Sequence, residues 1–189
     1  MQNKTWRDDI RAYVPFNEQE RNDKARFLEV LDLENILTRE NEEAHVSSSA
    51  WVMNDALDQV LMAYHNIYQS WSWSGGHADG EGDLLSVAMK EVKEESGLVS
   101  LKPLSDSPIS IEILGVQPHY KKQKYVSAHL HLNYTFLLHN TKEEKLKICP
   151  EENSKVVWLS PDEAVRSSTE AWMKPIYKKL NQKMRKYLG

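Results

Sequence analysis

The sequence predicts an α/β layered domain: a mixed sheet with helices before, within and after it, preceded by a helical extension. Three observations carry that prediction. From Tyr125 to Leu138 the even positions are apolar and the odd positions 127 to 135 polar, the period-2 pattern of a strand with two different faces. Between Asp83 and Ser96 an amphipathic helix follows a glycine-rich loop and stops at Gly97, a residue suited to a helix terminus. Both ends of the chain are charged and read as helix. Strands alternating with helices build layers around one core. The division expected is an extension over residues 1–43 and a main domain over 44–189.

The elements follow in order. Residues 1–44 are rich in charge, with Phe27, Leu28, Leu31 and Leu33 as an interrupted apolar stripe. Val14-Pro15 breaks this segment, because a residue before proline avoids the helical region. From Ala44 the pattern becomes strand-like, first in AHVSSSAWVMN and then in DQVLMAYHN, with a turn near Asn54-Asp55. The unbroken apolar run Val60 to Tyr64 suits a strand covered on both faces. SWSWS (70–74) alternates and leads into the glycine loop. The helix that follows directs Leu85, Ala88 and Val92, with Leu84 beside them, at a core. SIEILGVQPHY (110–120) reads as a strand, then a basic turn, then the long alternating strand. Short strands are expected around Lys145–Ile148 and over 155–160. Ser160-Pro161 has the form of a helix start, serine capping and proline in the first turn. A basic amphipathic helix over about 170–187 closes the chain, with Trp172, Ile176, Leu180 and Met184 on its apolar side.

Bulk properties exclude several classes. The 189 residues favour one domain, and 40% hydrophobic content is enough for a real core. A net charge of −4 gives no electrostatic case for a nucleic-acid partner. No apolar run approaches the roughly 20 residues of a membrane span. MQNKTWRDDI lacks the apolar core of a secretory signal, and the single cysteine, Cys149, forms neither an internal disulfide nor a cysteine-based zinc site. These features fit a cytoplasmic protein.

The chemistry concentrates in GGHADGEGDLLSVAMKEVKEESGL, Gly75 to Leu98. Glu91, Glu94 and Glu95 stand at helical positions i, i+3 and i+4, so their side chains share one face. Three crowded carboxylates repel one another, and a hard divalent cation, above all Mg²⁺, offsets that repulsion. A glycine loop lets its own backbone approach such an ion, which makes the carbonyl of Gly75 or Gly76 a candidate ligand.

The stretch resembles the Nudix box, GX5EX7REUXEEXGU with U aliphatic. Gly76 is the first glycine, Lys90-Glu91-Val92 stands at REU, Glu94-Glu95 is the EE pair, and Gly97-Leu98 closes it. Two positions depart: the first box glutamate falls on Gly82, between Glu81 and Asp83, and the arginine is Lys90. In the family those two orient the catalytic glutamates. Lysine lacks the planar fork of arginine, so Asp83 or Glu81 is a candidate partner for it here. The resemblance implies a Nudix-type α/β/α sandwich that hydrolyses the diphosphate linkage of a nucleoside diphosphate joined to another moiety. It implies Mg²⁺, with Mn²⁺ as substitute, held by Gly76, Glu91, Glu94 and Glu95. Glu91 binds metal or serves as general base, and Glu152, in the loop before the KVVW strand, reaches the cleft. The partner implied is a small nucleotide-type diphosphate, and homodimers are common in the family.

Further candidates have weaker claims. His129 and His131 lie on the polar face of the long strand, which either lines the cleft or meets solvent. They suit phosphate or base contact, and with no third soft ligand evident they do not read as a metal site. His77 follows the double glycine directly. Trp71 and Trp73 share one strand face before the loop, and Trp73 is a candidate for stacking on a base. Lys90 is a candidate substrate contact. The alternative function is a non-catalytic Nudix module that binds a nucleotide-type ligand as a sensor. A prenyl diphosphate isomerase shares the fold but needs a catalytic cysteine, and Cys149 is not placed as the resemblance would require.

Overall fold

A computed structural model describes residues 5–121 and 123–189. The chain opens with α1 (Trp6–Ala12) and α2 (Glu18–Val30), separated at Val14-Pro15 as expected. Thr5 and Asn17 cap their N-termini through side-chain oxygens. Then come β1 (Ala44–Met53), β2 (Val60–His65), β3 (Ser70–Ser72), β4 (Ser74–His77) and α3 (Leu84–Ser96). The second half holds β5 (Leu101–Pro103), β6 (Ser110–Val116), β7 (His119–Lys121), β8 (Lys124–Val126), β9 (His129–Asn140), β10 (Asn153–Leu159), α4 (Pro161–Ser167) and α5 (Met173–Leu188). No helix among the described residues is long and apolar enough to cross a membrane.

The sheet runs β10-β2-β1-β9-β5, with β3 on β2, β4 on β1 and β6 on β9; β7 and β8 form a separate hairpin. Its centre is the parallel pair of β1 and β9, in register from Ala44↔Leu130 to Met53↔His139. Every other pairing is antiparallel. Alternation along β1 and β9 sends side chains to two cores. Val46, Ala50, Val52, Leu132, Tyr134 and Phe136 pack beneath α1, α2 and α3, where Trp6, Phe27, Leu84, Ala88 and Val92 meet them. Trp51, Met53 and Leu137 point the other way, against Met173, Tyr177, Leu180 and Met184 of α5. This is the α/β/α sandwich expected, with residues 6–36 contributing to the first core.

Several local expectations change. Residues 145–148 form no strand, and a short strand that the residue pattern does not signal, β5, pairs with the end of β9. The long alternating strand breaks at 127–128 into β8 and β9. Leu28 and Leu33 of the amino-terminal stripe are exposed, and so is Trp172, which precedes α5 instead of joining its apolar side. The polar face of β9 meets neither solvent nor an open cleft over Asn133 and Thr135, which are fully buried. Asn133 accepts from Ser47 and Ser49 on β1 and donates to Glu112 on β6, and Thr135 donates to the same carboxylate. Buried polar groups must find partners, and here they find them across three strands. Gly97 ends α3 at φ +74°, with its N–H bonded to Lys93 O.

Candidate active site

The site forms where β4 passes the outer half of α3. Asp83 caps this helix by accepting from the Ser86 backbone N–H and hydroxyl, which fixes where the first turn starts. Leu84, Val87, Ala88 and Val92 bury one side of it. That rotation carries Glu95 into the protein as well: it is 7% exposed, and the Gly75 N–H donates to its carboxylate at 3.3 Å. Burial pushes the Glu95 carboxyl up to about 8; the Gly75 N–H works against this shift, while Glu152 and Glu91 add to it. Glu91 is raised as well, chiefly by burial, with Lys90 opposing and Glu94 and Glu152 adding.

Glu152 arrives from the turn before β10. One oxygen of each of Glu91, Glu95 and Glu152 lies within 4.8 Å of the others. Asn153, 1% exposed, holds this turn in place: it donates to Glu95 O at 3.0 Å and accepts from Cys149 N–H at 3.1 Å. Residue order gives little sign of this positioning role. Its only signal is an asparagine directly after two glutamates, and the role depends on a contact 58 residues away.

The two glycines explain how a strand passes so close to a helix carrying acids. A Cβ on Gly76 would fall 2.5 Å from the Glu91 carboxylate, and one on Gly75 2.7 Å from Ser48 O. The second clash is with backbone, so Gly75→Ala must push β4 off β1. We expect it to lower stability by about 1–3 kcal/mol and to withdraw the Gly75 N–H from Glu95. Urea unfolding checks the first effect, and an unchanged midpoint would refute it.

Other candidates land elsewhere. Glu94 is exposed and pairs with Lys90 at 3.2 Å, outside the group formed by Glu91, Glu95 and Glu152. Lys90 also approaches Glu91, at 3.7 Å. It turns to these two, since Asp83 is occupied as cap and Glu81 accepts from Asp83 N–H. Trp73 is a core residue, 9% exposed and edge-to-face with Tyr177 at 5.5 Å, so its ring offers no open platform for a base. Trp71 stands edge-on to Tyr64. His77, His129 and His131 come together, but on the opposite face of the sheet from Glu91, and His45 joins them. Burial leads the effects that push His131 down to about 2 and His45 below its usual value, so both rings are neutral.

An acidic helix face thus stands against the two glycines of β4, inside an α/β/α sandwich. The model of the NUDIX domain matches residues 43–180, and the chain belongs to the Nudix family, whose members are hydrolases acting on pyrophosphate bonds of nucleoside diphosphate derivatives. Solved structures agree on the fold. An Ap4A hydrolase from C. elegans is 18% identical, with a TM-score of 0.55 over 72% of this chain and 95% of its own. A Nudix-family hydrolase from Clostridium perfringens is 16% identical, with a TM-score of 0.54 over 75% and 96%. The E. coli dihydroneopterin triphosphate pyrophosphohydrolase is 17% identical, with a TM-score of 0.52 over 71% and 92%. No curated protein sequence matches the chain.

Proposed function

We propose that this Nudix pyrophosphohydrolase cleaves the diphosphate linkage of a nucleoside diphosphate joined to another moiety, with Mg²⁺ held by Glu91, Glu95 and Glu152. The observation that carries the reading is the convergence of those three carboxylates against the bare Cα of Gly76. The donor set fits the ion: all oxygens, with Glu95 in a setting so dry that its charge is costly without a cation. When bound, the ion supplies neutralisation of the phosphate oxygens and acidifies water.

The remaining chemistry belongs to the chain. Glu91 is the residue we assign to take the proton from the attacking water, because its carboxylate stands against the bare Cα of Gly76 beside Glu95 and Glu152. Lys90, tethered between Glu91 and Glu94, keeps the Glu91 carboxylate from swinging out and places a cation at the edge of the site. Asn153 locks the Glu152 turn to the end of α3, so the third carboxylate keeps its distance from Glu95. Gly75 N–H favours the ionised form of Glu95.

The test is a panel of nucleoside diphosphate sugars, dinucleotides and oxidised nucleotides, assayed with Mg²⁺ and with Mn²⁺. Turnover that requires the metal is expected; binding without turnover under every condition would favour the sensor reading instead. Gly82→Glu provides a second check. Among the described residues a Cβ there meets only the Trp6 ring, at 3.7 Å, and the backbone is not left-handed. The substitution restores the carboxylate that the box carries at this position, so activity should hold or rise. A loss of more than about tenfold, some 1.4 kcal/mol in barrier, would show that the glycine itself is needed.

A further inference from the structure

We propose that His45, His77, His129 and His131 form a second metal site, for a divalent transition metal of which Zn²⁺ is the expected occupant, on the sheet face opposite the carboxylates. The four ligands come from three adjacent strands. In the parallel register His45 of β1 stands beside His131 of β9, and His129 is two residues back on the same face. On the other side of β1, Ser47 pairs with His77 of β4, which turns that imidazole to the same face. All four offer a ring nitrogen within 4.8 Å of one another.

The geometry is that of a ligand shell. The Nε2 atoms of His77 and His129 each lie 3.1 Å from Nε2 of His131. A tetrahedral ion with metal–nitrogen bonds near 2.0–2.1 Å separates its ligand atoms by about 3.3–3.4 Å. Ring centroids from His45 to its three companions lie at 4.8–5.0 Å.

Proton positions follow from the partners. His45 Nδ1 faces Asn41 O at 3.0 Å, and His129 Nδ1 faces Ser127 O at 2.8 Å. A carbonyl only accepts, so each Nδ1 carries the hydrogen and each Nε2 presents a lone pair. A ring N–H donated to a backbone carbonyl is the usual outer support of a metal-binding histidine. His45 Nε2 is buried and has no hydrogen-bond partner among the described residues. Leaving such an atom unsatisfied is costly, and a cation at the shared focus would satisfy it.

The two sites differ in kind. Oxygen donors select Mg²⁺, whereas imidazoles select zinc and its neighbours. They meet at β4, where Gly76 faces Glu91 and His77, the next residue, faces the other way. An ion on the histidines would therefore pin the glycine strand to β1 and β9 and set where Gly75 and Gly76 stand against Glu95 and Glu91.

The test uses full-length protein purified without a histidine tag, stripped with chelator, and titrated with Zn²⁺ against a colorimetric competitor. One equivalent per chain is expected, persisting in millimolar Mg²⁺ and in Glu91→Gln/Glu95→Gln. His129→Ala and His131→Ala, at two of the three half-buried members, should each weaken binding by about 100-fold or more. Circular dichroism controls for folding, and Co²⁺ in place of zinc should give the visible absorption of a tetrahedral ion in the parent only. No tight equivalent in the parent, or binding lost with the glutamates and kept by folded histidine variants, would overturn the site. The substrate panel tests pyrophosphate cleavage separately, so failure of either reading leaves the other standing.

Discussion

Glu95→Gln should abolish turnover while making the metal-free protein more stable at alkaline pH. The two effects have one origin. Glu95 sits in the driest part of the site, and its carboxyl is raised to about 8 from 4.5 by burial first of all. A folded-state pKa above the unfolded value means that the favourable contribution is complete below pH 4.5 and disappears as pH climbs through 8. At about 1.4 kcal/mol per unit, ionising this group in the folded protein costs a few kcal/mol. Glutamine keeps the shape and cannot ionise, so the variant escapes that cost. Without metal, parent and variant should melt together at pH 4 and diverge toward pH 8, the variant melting higher. Mg²⁺ should raise the parent more at pH 8 than at pH 5 and leave the variant almost unchanged. Losing one carboxylate that holds the ion removes several kcal/mol of charge stabilisation, a fall in kcat of roughly two to three orders of magnitude. Near-normal kcat in a folded variant would overturn the assignment of Glu95.

Lys179→Met should be the most destabilising substitution away from the site. Lys179 is 3% exposed on α5, and its ammonium bonds Gln19 at 2.7 Å, Glu112 at 2.8 Å and Glu20 at 3.1 Å. Lys183 adds a second cation 2.6 Å from Glu20. Burial opposes the charge on Glu20, but the two lysines outweigh it and hold its carboxyl below the usual value. Removing one partner strands buried charge on the others, at a cost of about 3–5 kcal/mol. For a chain of this size that lowers the melting temperature by on the order of 10 °C. A loss under about 1 kcal/mol in urea unfolding would show that the network does not secure the layers.

Much of this arrangement is legible in residue order. The period of β9, the proline break, the cap at Ser160 and the stop at Gly97 are local signals, and each element follows from a few neighbouring residues. The acidic helix face is local too, so helical spacing alone groups Glu91, Glu94 and Glu95. Their separation into an inward pair and an outward Glu94 is not legible there, because it depends on how α3 is rotated against the sheet. The same limit hides the histidines. His129 and His131 announce a shared face by their spacing, but His45 and His77 reach them only through the register of two ladders. Lys179 looks like one more cation on a basic helix until Glu20 is brought to it. In each case the missing fact is a contact between distant parts of the chain.

The Glu20–Lys179 contact also sets a schedule. At roughly 5–20 residues per second, Glu20 is incorporated on the order of 10–30 s before Lys179. Until then neither lysine that offsets its buried charge is present, and the β9 strand that pairs with β1 is likewise made late. The compensation of Glu20 is therefore complete only once α5, which carries both lysines, has been made.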